Sequence, residues 1–280
     1  MRVSIMKTIL IPAEDHDAMP AVLEAARLIA HTFDSYMEGF AVRPSAGTYV
    51  TVEPVSSLAI AGAFEADTAR QTRAQFEAFM HEHKVPHGKK EPAVFSYDWP
   101  REDASEDSFI GSHGRVFDLI VLGRPGPDPQ NPRTPPLEAA LFDSGRPVLI
   151  VPAAPKTIGR NILVHWNRST QQARTTEFAL PLLHRAEKVT VLMVEGGTVP
   201  GPTGEEAARH LRRNGIKAEA LTVKPGSRTP GEIVLERAAS LGCDLLVKCA
   251  YTQSRLRQMI FGGATRHILA NATLPVLMAH

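Results

Sequence analysis

The sequence has little cysteine, almost no net charge and no long apolar run, and each shortage excludes a class of protein. Its two cysteines, Cys243 and Cys249, flank one expected strand, and the extended chain between them holds them too far apart to pair with each other. A disulfide framework is excluded, and free thiols in a reducing, cytoplasmic setting are expected. Lys and Arg number 31 against 30 Asp and Glu, a formal net charge of +1, so no global field draws the chain to nucleic acid. No apolar stretch reaches the length of a membrane span, and none of signal-peptide length precedes the strand pattern Thr8-Ile9-Leu10-Ile11, so no membrane partner is expected.

What is present is a globular composition, 43% hydrophobic and 22% charged, over 280 residues, enough for two domains. Short apolar runs alternate with helix-length amphipathic segments. The first run ends near Pro12, and the acidic turn Glu14-Asp15-His16-Asp17 offers N-cap candidates for a helix with Val22, Ala26, Ile29 and Ala30 on one face. A strand over 36–42, a loop over 43–57, a long amphipathic helix over 58–84, a strand over 93–97, a short helix over 101–114 and the apolar run 119–122 follow. A proline-rich loop from Gly123 then leads to a helix over 137–143 and a strand over 148–151.

After the proline-rich linker candidate Pro152–Lys156 the pattern starts again. Ile162-Leu163-Val164 answers Ile9-Leu10-Ile11, Asp244-Leu245-Leu246-Val247 answers Asp118-Leu119-Ile120-Val121, and Pro275-Val276-Leu277-Met278 answers Pro147-Val148-Leu149-Ile150. This internal duplication predicts domains at 1–154 and 155–280, with helices over 171–183, 205–214 and 230–241 and strands over 189–194 and 218–223 restoring the order of elements. Strands separated by helices argue for parallel sheets covered on both faces. Ligands in such sheets bind outside the carboxyl ends of the strands, where the strand order reverses.

The stretch from Cys243 to His280 reads as strand, polar loop, glycine pair, helix and strand, a geometry that aims backbone N–H groups at an anion. It resembles the nucleotide-binding universal stress proteins, whose fourth strand ends in Gly-x2-Gly-x9-Gly-Gly/Ser/Thr before a helix and a Pro-Val-Leu strand. The spacing is kept here, but Cys249 and Thr252 stand at the two leading glycine positions, while Gly262 and Gly263 keep the second pair with Thr265 shortly after. The resemblance covers nearly the whole chain. It implies an α/β fold of two doubly wound parallel five-stranded sheets, strand order 3-2-1-4-5, with helices on both faces, arranged as a pseudo-two-fold pair like a fused dimer.

The resemblance also implies where ATP or another adenine nucleotide would lie. Asn167 stands at the position of an aspartate that meets the ribose, and it can equally cap the following helix. Val194 matches the position whose backbone meets the adenine, where any apolar core residue also fits. If Cys249 and Thr252 need left-handed backbone, their Cβ atoms cost about 1–2 kcal/mol apiece. Lys248, Arg255 and Arg257 can restore charge; Lys248, at the end of a buried strand, must emerge into the crevice or meet a carboxylate. In the first half Gly123 and Gly126 keep the leading pair, but the later pair falls at Pro136-Leu137. Prolines 127, 129, 132, 135 and 136 remove N–H donors, and Glu14 adds negative charge, so that half is expected not to bind.

Two other stretches invite chemistry and have plainer readings. His81, His83 and His87 in HEHKVPH do not share a helix face, and Pro86 ends the helix, so a solvated helix end is expected rather than a metal site. Gly111-Ser112-His113-Gly114 precedes a strand and reads as a helix C-terminus. The sequence contains no Walker loop, paired-cysteine zinc spacing or Ser-His-Asp pattern. The leading expectation is a cytoplasmic stress-response module that binds protein partners and self-associates, without strong catalysis. The alternative is ATP binding by the second half with slow hydrolysis, and an enzyme sharing the sheet topology ranks third.

Overall fold

The computed structural model describes residues 6–44, 55–126, 128, 131–250 and 263–280. Two compact units divide the chain, Met6–Arg146 and Pro147–His280. In the first, β1 (Thr8–Ala13), α1 (Met19–Phe33), β2 (Tyr36–Arg43), α2 (Val55–Glu82) and β3 (Ser96–Asp98) alternate. They are followed by the two-residue β4 (Ser105–Glu106), α3 (Asp107–Gly114), β5 (Leu119–Gly123) and α4 (Thr134–Asp143). The sheet runs β3-β2-β1-β5, all parallel, with β4 on the end of β2.

The second unit holds β6 (Val148–Val151), β7 (Asn161–His165), α5 (Thr170–Arg185), β8 (Lys188–Val194), α6 (Gly204–Arg213) and β9 (Ala218–Val223). After these come α7 (Pro230–Ser240), β10 (Leu245–Val247), α8 (Gly263–Asn271) and β11 (Val276–Met278). Its sheet runs β6-β11-β10-β7-β8-β9. The five strands from β9 to β11 read 3-2-1-4-5 in chain order within the repeat. Strand β6, which the duplication assigns to the first half, packs with this unit because it pairs antiparallel with β11, Val148 opposite Met278. The fold is α/β with a mostly parallel sheet and helices on both faces. The central strands bury both faces, and their runs are therefore almost uninterrupted Ile, Leu and Val.

The aspartate repeated ahead of β5 and β10 explains part of the duplication. Asp118 Oδ2 accepts from the backbone N–H of Lys7 (2.7 Å) and Thr8 (3.0 Å). Asp244 accepts from the N–H groups of Gly159, Arg160 and Asn161 and from the Thr157 hydroxyl. Each carboxylate thus satisfies the free N–H groups where its neighbouring first strand begins.

Local departures have local causes. None of the acidic residues before α1 caps it: Ala18 is the N-cap, and Pro20 in the first turn lacks the N–H that would need a partner. Pro135 and Pro136 likewise fall in the first turn of α4. The third strand starts at Ser96 rather than at 93, and the segment from 101 becomes helical only at Asp107. Gly111 and Gly114 do close α3, and Gly111 is small for packing: a Cβ there would lie 2.5 Å from Asp143 Cβ and 3.0 Å from the Ala139 carbonyl of α4.

Candidate functional site

In the second unit Val164 of β7 stands opposite Val247 of β10, so the next residues, His165 and Lys248, lie side by side at the carboxyl ends of the two strands. Both are buried. The Lys248 ammonium donates to the Cys249 carbonyl (2.9 Å) and to Thr265 Oγ1 (2.6 Å), and Thr265 in turn donates to the Ala250 carbonyl (3.0 Å). Lys248 thereby ties the end of β10 to the first turn of α8, and burial lowers its pKa. Of the two expectations for Lys248, a carboxylate partner is absent among the described residues. Backbone and hydroxyl oxygens, already oriented by the strand end, take its protons instead. Burial, with the Lys248 charge adding to it, pushes His165 down to about 3, and its Nδ1 has no hydrogen-bond partner. His165 is therefore neutral near pH 7.

Cys249 fills the next position. Its N–H donates to Gln172 Oε1 (2.8 Å), and its Sγ accepts from Asn167 Nδ2 at 3.4 Å. Asn167 Oδ1 accepts from both the N–H (3.1 Å) and the hydroxyl (2.8 Å) of Ser169, and Ser169 Oγ accepts from the Gln172 N–H (3.1 Å). Since the Ser169 proton goes to Asn167, the thiol is the donor in its 3.8 Å contact with Ser169 Oγ. The result is a closed ring in which Asn167, Ser169, Gln172 and Cys249 satisfy one another, and all four are buried.

The expected site residues divide accordingly. Asn167, Lys248 and Thr265 come together around the end of β10. Asn167 is not the helix cap, contrary to one of its two expected roles. Ser169 is the cap, and Asn167 holds Ser169. Val194 is fully buried at the end of β8, with its carbonyl accepting from the Gly197 N–H at 3.4 Å. Gly263 opens α8, and a Cβ there would meet nothing within 4 Å. Arg255 and Gly262, with Thr252 and Arg257, lie outside the described residues. The expected strain at Cys249 is absent: the non-glycine residues with positive φ among the described ones are Asp34, Lys84 and Arg168. Cys249 alters the site by filling it with a side chain, not by forcing the backbone.

Ser169 and Gln172 escaped the sequence reading, although Ser-x-x-Gln before a helix is a capping-box pattern. Here only half the box forms, because the Gln172 side chain turns to the Cys249 N–H.

The corresponding crevice of the first unit is also occupied from within. Arg133 donates to Glu14 Oε1 (2.5 Å) through Nε and to both oxygens of Asp107 (2.8 and 3.2 Å) through its terminal nitrogens. Both carboxylates are buried, and burial raises the Glu14 pKa although the Arg133 charge opposes the rise. Pro132 lies where a Cβ on Gly123 would fall, so Pro132 covers the end of β5. Position 14 alone forecast negative charge; its neutralisation from the far end of that loop has no local signature.

Among the described residues no group of three or more His, Cys, Asp or Glu is placed to hold a metal, and no helix is long and apolar enough to cross a membrane. His83 and His87 face different carboxylates, Glu24 (3.6 Å) and Asp98 (3.4 Å). His113 of the Gly111–Gly114 stretch reaches Glu38 Oε1 at 2.6 Å.

Residues 159–280 match the Universal stress protein family. A universal stress protein from Archaeoglobus fulgidus DSM 4304 superimposes with a TM-score of 0.73 at 13% identity, covering 99% of this chain and 97% of its own. A putative universal stress protein from Pseudomonas aeruginosa UCBPP-PA14 gives 0.56 at 16% identity, covering 100% and 95%. The functionally unknown protein PA1789 from Pseudomonas aeruginosa PAO1 gives 0.56 at 16% identity, covering 99% and 93%. At these identities the likeness is one of fold. Comparison of the sequence with curated proteins gave no match.

Proposed function

We propose, from the premise that residues 159–280 form a universal stress protein domain, that this protein is a cytoplasmic stress-response module. In this reading it acts by binding protein partners and by self-association, without strong catalysis of its own. One observation carries the reading: the ring of Asn167, Ser169, Gln172 and Cys249 occupies the end of β10 and spends its hydrogen-bonding capacity internally. A polyphosphate entering there must first break these bonds. Each broken buried pair left unsatisfied costs about 1–3 kcal/mol. Arg133 occupies the crevice of the first unit in the same sense.

A thermal-shift series with ATP, ADP, AMP and cyclic AMP in the presence of magnesium tests the proposal. A ligand at about 100 times its Kd adds about 2.7 kcal/mol, a shift of several degrees for units of this size. The expected result is no shift at millimolar nucleotide, with chemical cross-linking in a cell extract capturing protein partners. A shift of several degrees with any of the four would overturn it.

A second reading, ATP or another adenine nucleotide held by the second unit, draws support from Lys248. This buried ammonium has no carboxylate within ion-pair distance among the described residues and sits against the first turn of α8, where an anion would lower its burial cost. On that reading Lys248→Met abolishes any nucleotide-induced shift.

A further inference from the structure

The second unit contains a cavity of about 480 Å³ away from the crevice just described, between α5 and α6 on one face of the sheet. Its floor is Val164 and Val191, paired side by side on β7 and β8, together with the Trp166 indole. The Trp166 N–H is donated to the Pro202 carbonyl at 2.8 Å, so the ring offers the cavity an apolar surface. Thr176, on the α5 wall, donates to the Gln172 carbonyl at 2.8 Å and accepts from the Gln172 side chain at 3.3 Å, so its hydroxyl is already paired.

The duplication supplies an internal control. In the first unit Phe76 of α2 packs directly over Gly39 of β2, where an added Cβ would lie 2.7 Å from its ring, and Met80 is buried beside the sheet. In the second unit α6 has ten residues against twenty-eight in α2, and Ala207 of α6 and Ala173 of α5 both line the cavity with small side chains.

Its mouth is acidic. Glu206 is held charged, because the Thr203 N–H (2.8 Å) and hydroxyl bind its carboxylate and lower its pKa. Glu177 makes no hydrogen bond or ion pair with any described residue. Arg168 and Arg209 act on Glu206 from nearby, but neither lines the cavity, whereas His210 does. An apolar chamber of this volume, within the range of small-molecule pockets, with an aromatic floor and carboxylates at the entrance, suits one chemical class.

We propose that this cavity binds a small organic cation: an amine carrying an aromatic or branched apolar group, seated on Trp166 with its ammonium toward Glu177 and Glu206. The test uses three probes of the same shape, phenylbutylamine, phenylbutanol and phenylbutanoate, titrated into the full chain and followed by two-dimensional amide NMR. The amine is expected to shift the amides of Ala173, Thr176, Ala207 and Leu211 and to bind about tenfold tighter than the alcohol, with the carboxylate weakest. Glu177→Gln should cut the amine's advantage over the alcohol to about threefold, the Glu206 carboxylate remaining, while leaving the alcohol's affinity unchanged. Ala207→Phe should remove binding of both, and Ala173→Leu at the more exposed wall serves the same purpose if Ala207→Phe does not fold. Equal binding of amine and carboxylate, an amine preference untouched by Glu177→Gln, binding that survives the filling substitution, or no binding by any probe would each refute the assignment.

Discussion

The Asn167 side-chain amide donates to Cys249 Sγ across 3.4 Å, joining the end of β7 to the end of β10 at the point where the resemblance implied a nucleotide. The contact exists because the first leading glycine position carries a side chain.

Ser169 caps α5 and also donates to Asn167, so its removal should cost more than an ordinary cap. Ser169→Ala is expected to destabilise the protein by about 2 kcal/mol, the upper end for a cap, because besides the Gln172 N–H it leaves the buried Cys249 thiol without its acceptor. Urea unfolding measures this. A loss below about 0.5 kcal/mol would mean that the ring contributes nothing beyond solvent exchange.

His165 predicts an acid-side slope. Its folded pKa is about 3, against roughly 6.5 when unfolded, so between these values the unfolded chain binds a proton that the folded chain refuses. Stability from this group is therefore complete above pH 6.5 and falls as the pH drops toward 3, at up to about 1.4 kcal/mol per pH unit. His165→Phe should flatten the profile of unfolding free energy between pH 6 and 4 by about that slope. An unchanged profile would show that His165 is solvated when folded.

Arg133 sits between Glu14 and Asp107, both buried. Arg133→Met leaves two adjacent carboxylates without a counter-charge and should cost about 3 kcal/mol at neutral pH. Because burial already raises the Glu14 pKa, the penalty should shrink as the pH falls and that carboxyl takes up a proton. Parallel denaturation at pH 7 and pH 5 checks the sign. A penalty that grows on acidification would contradict the pairing.

Gly111→Ala places a methyl against Asp143 Cβ and the Ala139 carbonyl, so α3 must move away from α4. A loss of about 1–3 kcal/mol in unfolding free energy is expected, the range for overpacking. A neutral result would mean that the helix pair yields without cost.

Much of the fold was legible because it is written in local apolar runs that occur twice. Ile9-Leu10-Ile11 and Ile162-Leu163-Val164 mark the first strand of each repeat, and the aspartates before Leu119 and Leu245 mark the same turn. The strand expected over 93–97 begins only at Ser96, because Ala93 and Val94 are apolar yet precede the pairing with β2, which starts at Ser96 opposite Tyr36. The candidate site was half legible. The resemblance points to Asn167 and Thr265, and the charge at the end of a buried strand points to Lys248, but what these residues touch has no sign in the sequence. Gln172 reaches Cys249 and Arg133 reaches Glu14 over 77 and 119 positions of chain, and no local pattern encodes such encounters. In the two histidine-bearing stretches His83, His87 and His113 each meet a separate carboxylate, Glu24, Asp98 and Glu38.

Occupation of the end of β10 by its own side chains decides whether a polyphosphate can bind there. Isothermal titration of ATP with magnesium into the wild-type chain and into Cys249→Gly with Thr252→Gly measures this directly. The prediction is no measurable heat for the wild type at millimolar ATP and a gain of at least tenfold in affinity for the double variant, which equals about 1.4 kcal/mol. Micromolar binding by the wild type, unchanged or weakened in the variant, would contradict it.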